Sequence, residues 1–340
     1  MKSISDYIIN ESSLMDVSDK IIEKQKYIHG IKEWNKLNSG DDPIINTYIN
    51  DGICVPNIKF AGNDISYMFS NQEGITELDL DQINFQKPLM QVEGLCKNDH
   101  NLETFKLSEL NAPGVQSLKY IFHNCHSLKQ ISLREWEVGH IFDATRMFSG
   151  CEKIQSINLS IITFNEGRNL TADMFARCGR LERVNLGDYT AHIFDGISGL
   201  DKHRVAYVRY HDGMFGHCGK LKSVRFNSID ICPKCSIFIG CSELESIYGE
   251  VRLIWPESPS ELPSSLRTVN LMIRWDKAST TPWTMDMSHL TELDDKSIKY
   301  FVENTEPCKL NSNIIIPRSW NISEDQIREL IKKGWNVTKK

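Results

Sequence analysis

The sequence predicts an α/β solenoid. Three observations lead there: one string recurs at a nearly fixed interval, each copy ends in alternating apolar and polar residues, and the segments flanking the copies read as helix. The clearest copy is MFSGCEKIQSINL at 147–159. Aligned on it are MFSNQEGITELDL (68–80), LCKNDHNLETFKL (95–107), IFHNCHSLKQISL (121–133), MFARCGRLERVNL (174–186), MFGHCGKLKSVRF (214–226) and IFIGCSELESIYG (237–249), with a fragment LRTVNL at 266–271. Successive starts lie 27, 26, 26, 27, 40 and 23 residues apart, the spacing of stacked coils.

Within a copy, the tail Ile154-x-x-Ile157-x-Leu159 has the period of a short strand with one buried face. The head, Met147-Phe148-x-x-Cys151, predicts one short helical turn that points its apolar groups inward. No coil can bury that face alone, so neighbours stack, with strand edges bonding from coil to coil at about 4.8 Å per step. Cys125, Cys151, Cys178, Cys218 and Cys241 then form one internal ladder of thiols acting as small apolar groups.

Solenoids need caps, and the chain divides accordingly into 1–58 (helical hook and cap), 59–275 (solenoid) and 276–340 (α/β capping segment). Tyr27, Ile31 and Trp34 fall at helical spacing in the first part, behind a helical reading of 17–26. WPESPSELPSS (255–265) marks a loop before one more strand. LDDKSIKYFVEN (293–304) places Ile298, Phe301 and Val302 on one helical face. SEDQIRELIKKGW (323–335) carries a capping box in Ser323 and Gln326, an apolar face of Ile327, Leu330 and Ile331, and Lys332-Lys333-Gly334 as a stop.

The recurring string, Met-Phe-x-x-Cys-x-x-Leu-x-x-Val-x-Leu at a period near 26, resembles the BspA-like leucine-rich repeats of bacterial surface proteins and gut-phage proteins over about residues 60–275. Stacking gives about eight coils with short parallel strands, and the resemblance implies a right-handed leucine-rich solenoid whose work is adhesion or protein binding, not catalysis. Gln72 and Asp99 depart from it at the ladder position, Leu95-Cys96 replaces Met-Phe, and 187–213 carries about fourteen extra residues. The ending, a helix leading to Lys-Gly-Trp and a final strand, is similar to the close of many gut-phage repeat proteins. MKSISDYIINE resembles the targeting peptides of phage internal proteins, which are cut after a Glu such as Glu11; the plainer reading is a helical turn packed on the chain's own cap.

Composition narrows the partners. With 40% hydrophobic residues, 25% charged residues and a net charge of -6, a folded protein without the basic excess of a nucleic-acid binder is expected. No apolar run reaches the roughly seven to fifteen residues of a signal peptide or the eighteen of a membrane span. No signal peptide, no membrane insertion and a virion or cytoplasmic location are therefore expected. Ten cysteines spread over so long a chain predict reduced thiols.

Candidate sites lie off the motif's fixed letters. Cys232-Pro-Lys-Cys235 is the one metal-like spacing, but no second ligand pair accompanies it, so neither metal nor cofactor is expected. His123 and His126 should point outward on either side of Cys125. The insertion DKHRVAYVRYHDG (201–213) brings Tyr207, Arg209, Tyr210 and His211 together, the composition of interface hot spots. On the strand face the outward residues are Asp79, Lys106, Ser132, Asn158, Asn185, Arg225, Tyr248 and Asn270, flanked by Thr104, Gln130, Ser156 and Arg183. From these, Asn158, Arg183, Asn185 and Arg225 are chosen as binding candidates. No catalytic fingerprint is visible, so the expected function is a non-catalytic interaction or adhesive module, in a tailed phage particle of gut bacteria or as a bacterial protein that recognises a protein or glycan.

Overall fold

The computed structural model describes the backbone of 49–50, 53–54 and 58–60 and, from 62 onward, all residues except 73, 82, 86, 134, 166–169, 192–212, 232–234, 257 and 275–280. The hook and the helices expected through Trp34 lie outside the described residues. Two compact units are present: Met1–Gln155 with Ile161–Asn165 and Asp173–Gly179, and Ser156–Ser160 with Glu166–Ala172 and Arg180–Lys340. Each is built as a parallel β-solenoid.

The first unit contains β1 (Ile49–Asn50), β2 (Ile53–Cys54), β3 (Ile58–Phe60), β4 (Glu77–Asp79), β5 (Ile83–Phe85), β6 (Thr104–Lys106), β7 (Glu109–Ala112), β8 (Gln130–Ser132) and β9 (Glu135–Val138). Strands β4, β6 and β8 form one parallel sheet in which Leu78, Phe105 and Ile131 share a row; β3 pairs with β5 and β7 with β9, also parallel, while β1 and β2 are antiparallel. A slip of one residue would turn Leu78 and Phe105, each 1% exposed, toward solvent, so burial fixes the register.

The head of each copy is not the helical turn expected. It is a turn bounded by two residues with positive φ four positions apart: Tyr67 and Asn71, Gly94 and Asn98, Tyr120 and Asn124, Arg146 and Gly150, Asp173 and Arg177. The two left-handed residues fold the chain back so that the residues between them turn inward, and asparagine tolerates this conformation better than most residues. The asparagines also bond to one another, Asn124 Nδ2 to Asn98 Oδ1 and Asn98 Nδ2 to Asn71 Oδ1, each at 3.0 Å. Gly150 ends that ladder, since a Cβ there would sit 2.8 Å from Asn124 Oδ1.

Inside the turns two columns run along the unit. Phe122, Phe148 and Phe175 stack with ring centroids 5.4 and 5.6 Å apart, and Phe105 meets Phe122 edge-on at 4.8 Å. The cysteine column does more than fill space: the Cys125, Cys151 and Cys178 thiols donate to the carbonyls of Cys96, Phe122 and Phe148 at 3.0, 3.1 and 3.2 Å. Each S–H thus satisfies a buried carbonyl of the preceding coil, which an alanine or valine would leave without that donor.

The second unit carries β10 (Ser156–Asn158), β11 (Arg183–Asn185), β12 (Thr190–Ala191), β13 (Ser223–Ile231), β14 (Ser246–Leu253) and β15 (Thr268–Ile273). The sheet order is β10-β11-β13-β14-β15, all parallel, with β12 alongside β13. The same turn recurs, with positive φ at Gly213 and His217 and at Ser236 and Gly240. Phe215 and Phe238 stack at 5.5 Å, and the Cys241 thiol donates to the Phe215 carbonyl at 3.1 Å. The loop expected at 255–265 includes a short 3-10 turn at Ser258–Glu261, and the Ser258 hydroxyl donates to the Ile231 carbonyl at 2.6 Å.

At the C-terminal side of this unit lie β16 (Thr284–Asp286), α1 (Asp295–Asn304), β17 (Ser312–Ile316), α2 (Glu324–Lys332) and β18 (Trp335–Lys339), the three strands forming a parallel sheet. Helix α1 buries Ile298, Phe301 and Val302 as expected, and Asp294 caps it by accepting from Ser297 N. The capping box of Ser323 and Gln326 starts α2. Its apolar face is narrower than expected: Leu330 is buried, but Ile331 is 53% exposed. One residue further round the helix, Ile331 falls beyond the stripe centred on Leu330.

Gly334 has φ +89, and a Cβ there would meet the Cys308 carbonyl oxygen at 2.1 Å. Gly334→Ala is expected to lower stability by about 2 kcal/mol or more, because alanine must adopt a left-handed backbone and move a neighbouring carbonyl. Urea unfolding of the two chains side by side checks this.

Candidate functional site

The four strand-face candidates come together. Register pairs Ser156 with Arg183, Arg183 with Ser223, Ser223 with Ser246 and Ser246 with Thr268 in one row, and Asn158, Asn185, Arg225 and Tyr248 in the next. Inward residues between the rows, Ile157, Val184, Val224, Ile247 and Val269, are at most 4% exposed, which fixes the row residues outward. Nine side chains on five rigid strands therefore include two arginines and one tyrosine and no carboxylate or lysine.

The two asparagines have a local task. Asn158 Oδ1 accepts from Ser160 N at 3.1 Å and Asn185 Oδ1 from Gly187 N at 3.0 Å. Both close a turn at the strand's end, as Asp79 does in the first unit by accepting from Asp81 N at 3.0 Å. That leaves their amide nitrogens on the surface.

Tyr248 is the large outward residue that the binding set omitted. It is 46% exposed, and the Arg225 guanidinium lies over its ring, 5.2 Å from the centroid. The register shifts between Arg225 and Ser228 and between Ile247 and Glu250, so adjacent irregularities flank this pair. Such bulges re-aim side chains at sheet surfaces. Beyond them, Glu250 accepts from Tyr300 Oη at 2.9 Å and Ser228 Oγ at 3.3 Å. Burial, then the Glu250 carboxylate, pushes the Tyr300 phenol up to about 12.

The corresponding face of the first unit is chemically different. Lys106 pairs with Asp79 and Asp81, both at 3.0 Å, and Lys129 with Glu103 at 2.8 Å. Hydrogen bonds to Asp81 and then Asp79 hold the Lys106 ammonium above the ordinary lysine range. These exposed charges largely neutralise one another.

On the turn side of the first unit, Lys97 Nζ lies 5.2 Å from the Tyr120 ring centroid and 5.9 Å from that of Tyr67, and Lys119 Nζ lies 5.1 Å from Tyr120. The sequence signal was available: Tyr67 and Tyr120 precede the motif in alternate coils, and Gly94 between them has the small side the Tyr67 ring needs, since a Cβ there would come within 2.3 Å of it. His126 stacks on His100 at 4.6 Å, and His123 Nδ1 lies 3.2 Å from the Ser149 carbonyl oxygen. Neither histidine is fully buried. Burial lowers the His123 pKa.

Tyr207, Arg209, Tyr210 and His211 lie outside the described residues, as does Cys232. Cys235 is disulfide-bonded, a departure from the reduced thiols expected. Among the described residues, seven cysteines are buried thiols outside any disulfide. Burial raises the Cys96, Cys125 and Cys151 thiols well above the usual range, and burial followed by the neighbouring Cys218 takes Cys241 up to about 12. Thiols so held are poor nucleophiles and poor metal ligands. Among the described residues, no group of three or more His, Cys, Asp or Glu side chains is arranged to hold a metal ion, and no helix is long and apolar enough to cross a membrane.

Residues 63–187 match a family model described as a Mycoplasma protein of unknown function, DUF285. The match covers a little over a third of the chain and ends where the 26- to 27-residue rhythm breaks. No curated protein matches the chain.

Proposed function

We propose that the chain is a non-catalytic interaction protein that engages a protein partner through the strand face of its second unit. One observation carries this reading: the paired rows of Ser, Thr, Asn, Arg and Tyr across five strands, centred on Arg225 over the exposed Tyr248. Tyrosine and arginine supply binding energy at interface centres, and serine and asparagine supply adaptable hydrogen bonds. Strands hold these groups at fixed spacing, which limits the ordering cost of binding. A glycan offering ring faces and hydroxyls suits the same chemistry. The segment at Tyr207, Arg209, Tyr210 and His211 is proposed as a second contact on compositional grounds.

The BspA-like resemblance, the C-terminal Lys-Gly-Trp ending and the N-terminal hook favour a tailed phage particle as the setting. The Mycoplasma description of the matching family favours the second reading, a bacterial cell-surface or intracellular binding protein. Mass spectrometry of purified particles separates them: recovery of the chain supports the virion setting, and its absence from particles made in cells that express it rejects that setting.

The interface itself is tested with Arg225→Ala and Tyr248→Ala against the partner captured by cross-linking through this face. Each substitution should weaken binding by about 2 kcal/mol, roughly thirtyfold in Kd, while the melting temperature barely moves. Unchanged affinity in both variants would reject this face as the interface.

A further inference from the structure

The cysteine column of the first unit has one foreign member. Asp99 occupies the position of Cys125, Cys151 and Cys178 in its own coil and is 0% exposed. Its Oδ1 accepts from Gln72 N, in the preceding coil, at 2.7 Å. Two buried oxygens nearby in the column, Asp99 Oδ2 and Gln72 Oε1, make no hydrogen bond. An ionised carboxylate has only acceptors to offer here, and leaving a buried charge so poorly satisfied is costly.

In the coils that follow, the ladder residue always brings a donor. Cys125 donates to the Cys96 carbonyl at 3.0 Å, Cys151 to Phe122 at 3.1 Å and Cys178 to Phe148 at 3.2 Å. The equivalent carbonyl one coil before Asp99 belongs to Phe69.

We infer that Asp99 is a neutral carboxylic acid in the folded chain, its O–H taking the place of the ladder thiol's S–H, so that a bound proton locks the coil of Gln72 to the coil of Asp99. Repeat equivalence directs the proton at the Phe69 carbonyl, while Oδ1 keeps the bond from Gln72 N. The titratable groups facing Asp99 are the Cys96 and Cys125 thiols, both neutral; His100, next in the chain, is exposed and stacks on His126. Burial raises the Asp99 pKa well above the usual carboxylate range, against the lowering effect of the Gln72 N–H.

The folded chain binds this proton more tightly than the unfolded chain, so the stabilisation is complete below the unfolded value of about 4 and is lost as pH rises toward the raised folded value. The device therefore loosens the contact between the coils of Gln72 and Asp99 as acidity falls.

Two variants of the full chain test it. Asp99→Asn keeps the shape and places a donor and an acceptor in a neutral side chain; Asp99→Cys restores the ladder residue. Urea unfolding is followed from about pH 4 upward in all three chains. The wild-type folding constant should fall relative to both variants by up to tenfold per pH unit, with the two variants parallel to each other. A wild type parallel to the variants, or gaining on them, would overturn the inference. Should neither variant fold, carboxyl-carbon NMR of the aspartate-labelled wild type decides. One aspartate that remains in the acid form at about pH 6, when the surface carboxyls have all titrated, supports it; a full set of carboxylates overturns it.

Discussion

Replacing either Asp230 or Arg252 by alanine should cost the second unit about 3–5 kcal/mol, because each leaves its partner's charge buried. The two side chains face each other across β13 and β14, Arg252 Nε donating to Asp230 Oδ1, and they are 4% and 0% exposed. Outward positions elsewhere on this sheet, such as Arg183 and Arg225, are exposed, so the burial of this pair sets it apart from the surface ion pairs of the first unit. Those exposed pairs are screened by water and should contribute little to stability. The joint replacement Asp230→Leu with Arg252→Met should be milder than the sum of the single changes, since neither member of the pair is left facing an apolar side chain. Urea unfolding of the four chains gives the cycle; additive single losses would show that the two charges do not depend on one another.

Phe148→Ala is expected to destabilise the first unit by about 3–5 kcal/mol. Phe148 is 0% exposed and lies between the Phe122 and Phe175 rings at 5.4 and 5.6 Å, so its removal opens a cavity and breaks two stacking contacts at once. In a stacked array each coil rests on its neighbours, and a defect in a middle coil is felt on both sides. Phe148→Leu should cost roughly half as much or less, because it retains most of the volume. Thermal and urea unfolding check both; an alanine variant within 1 kcal/mol of wild type would show that the column is not packed as described.

How far the sequence reveals this structure depends on which part of the coil is considered. The strand tails were legible because burial of one face needs a strict alternation, and Leu78, Ile157, Val184 and Val224 all obey it. The same register told which outward residues would be neighbours, and Asn158, Asn185 and Arg225 do share one row. The turns were less legible. Positive φ is carried by Tyr67, Arg146, Asp173 and Ser236 as well as by glycine and asparagine, so residue identity does not announce it. Backbone geometry there is imposed by the stacking of whole coils and not by local preference.

The cysteines show a second limit. Their burial could be read from the repeat, but their donation to carbonyls of the preceding coil depends on where a neighbouring backbone oxygen points. Likewise the roles of Asn158 and Asn185 as turn closers look, from sequence alone, like two free polar groups. Ile331 misled for the opposite reason: it lies one residue round the helix from Leu330, beyond the buried stripe, and is 53% exposed. Tyr248 was visible in the strand face but not singled out, because its pairing with Arg225 follows from strand register that shifts just beyond it.

Fixed letters of the motif build the coil and fill its interior, and variable letters face outward. Alkylation of the folded chain, with sites read by peptide mass spectrometry, tests this most directly. Cys96, Cys125, Cys151, Cys178, Cys218 and Cys241, all 2% exposed or less, should remain unmodified over a time in which the urea-unfolded chain is fully labelled. Labelling of Cys151 in the folded chain as fast as in the unfolded one would contradict it.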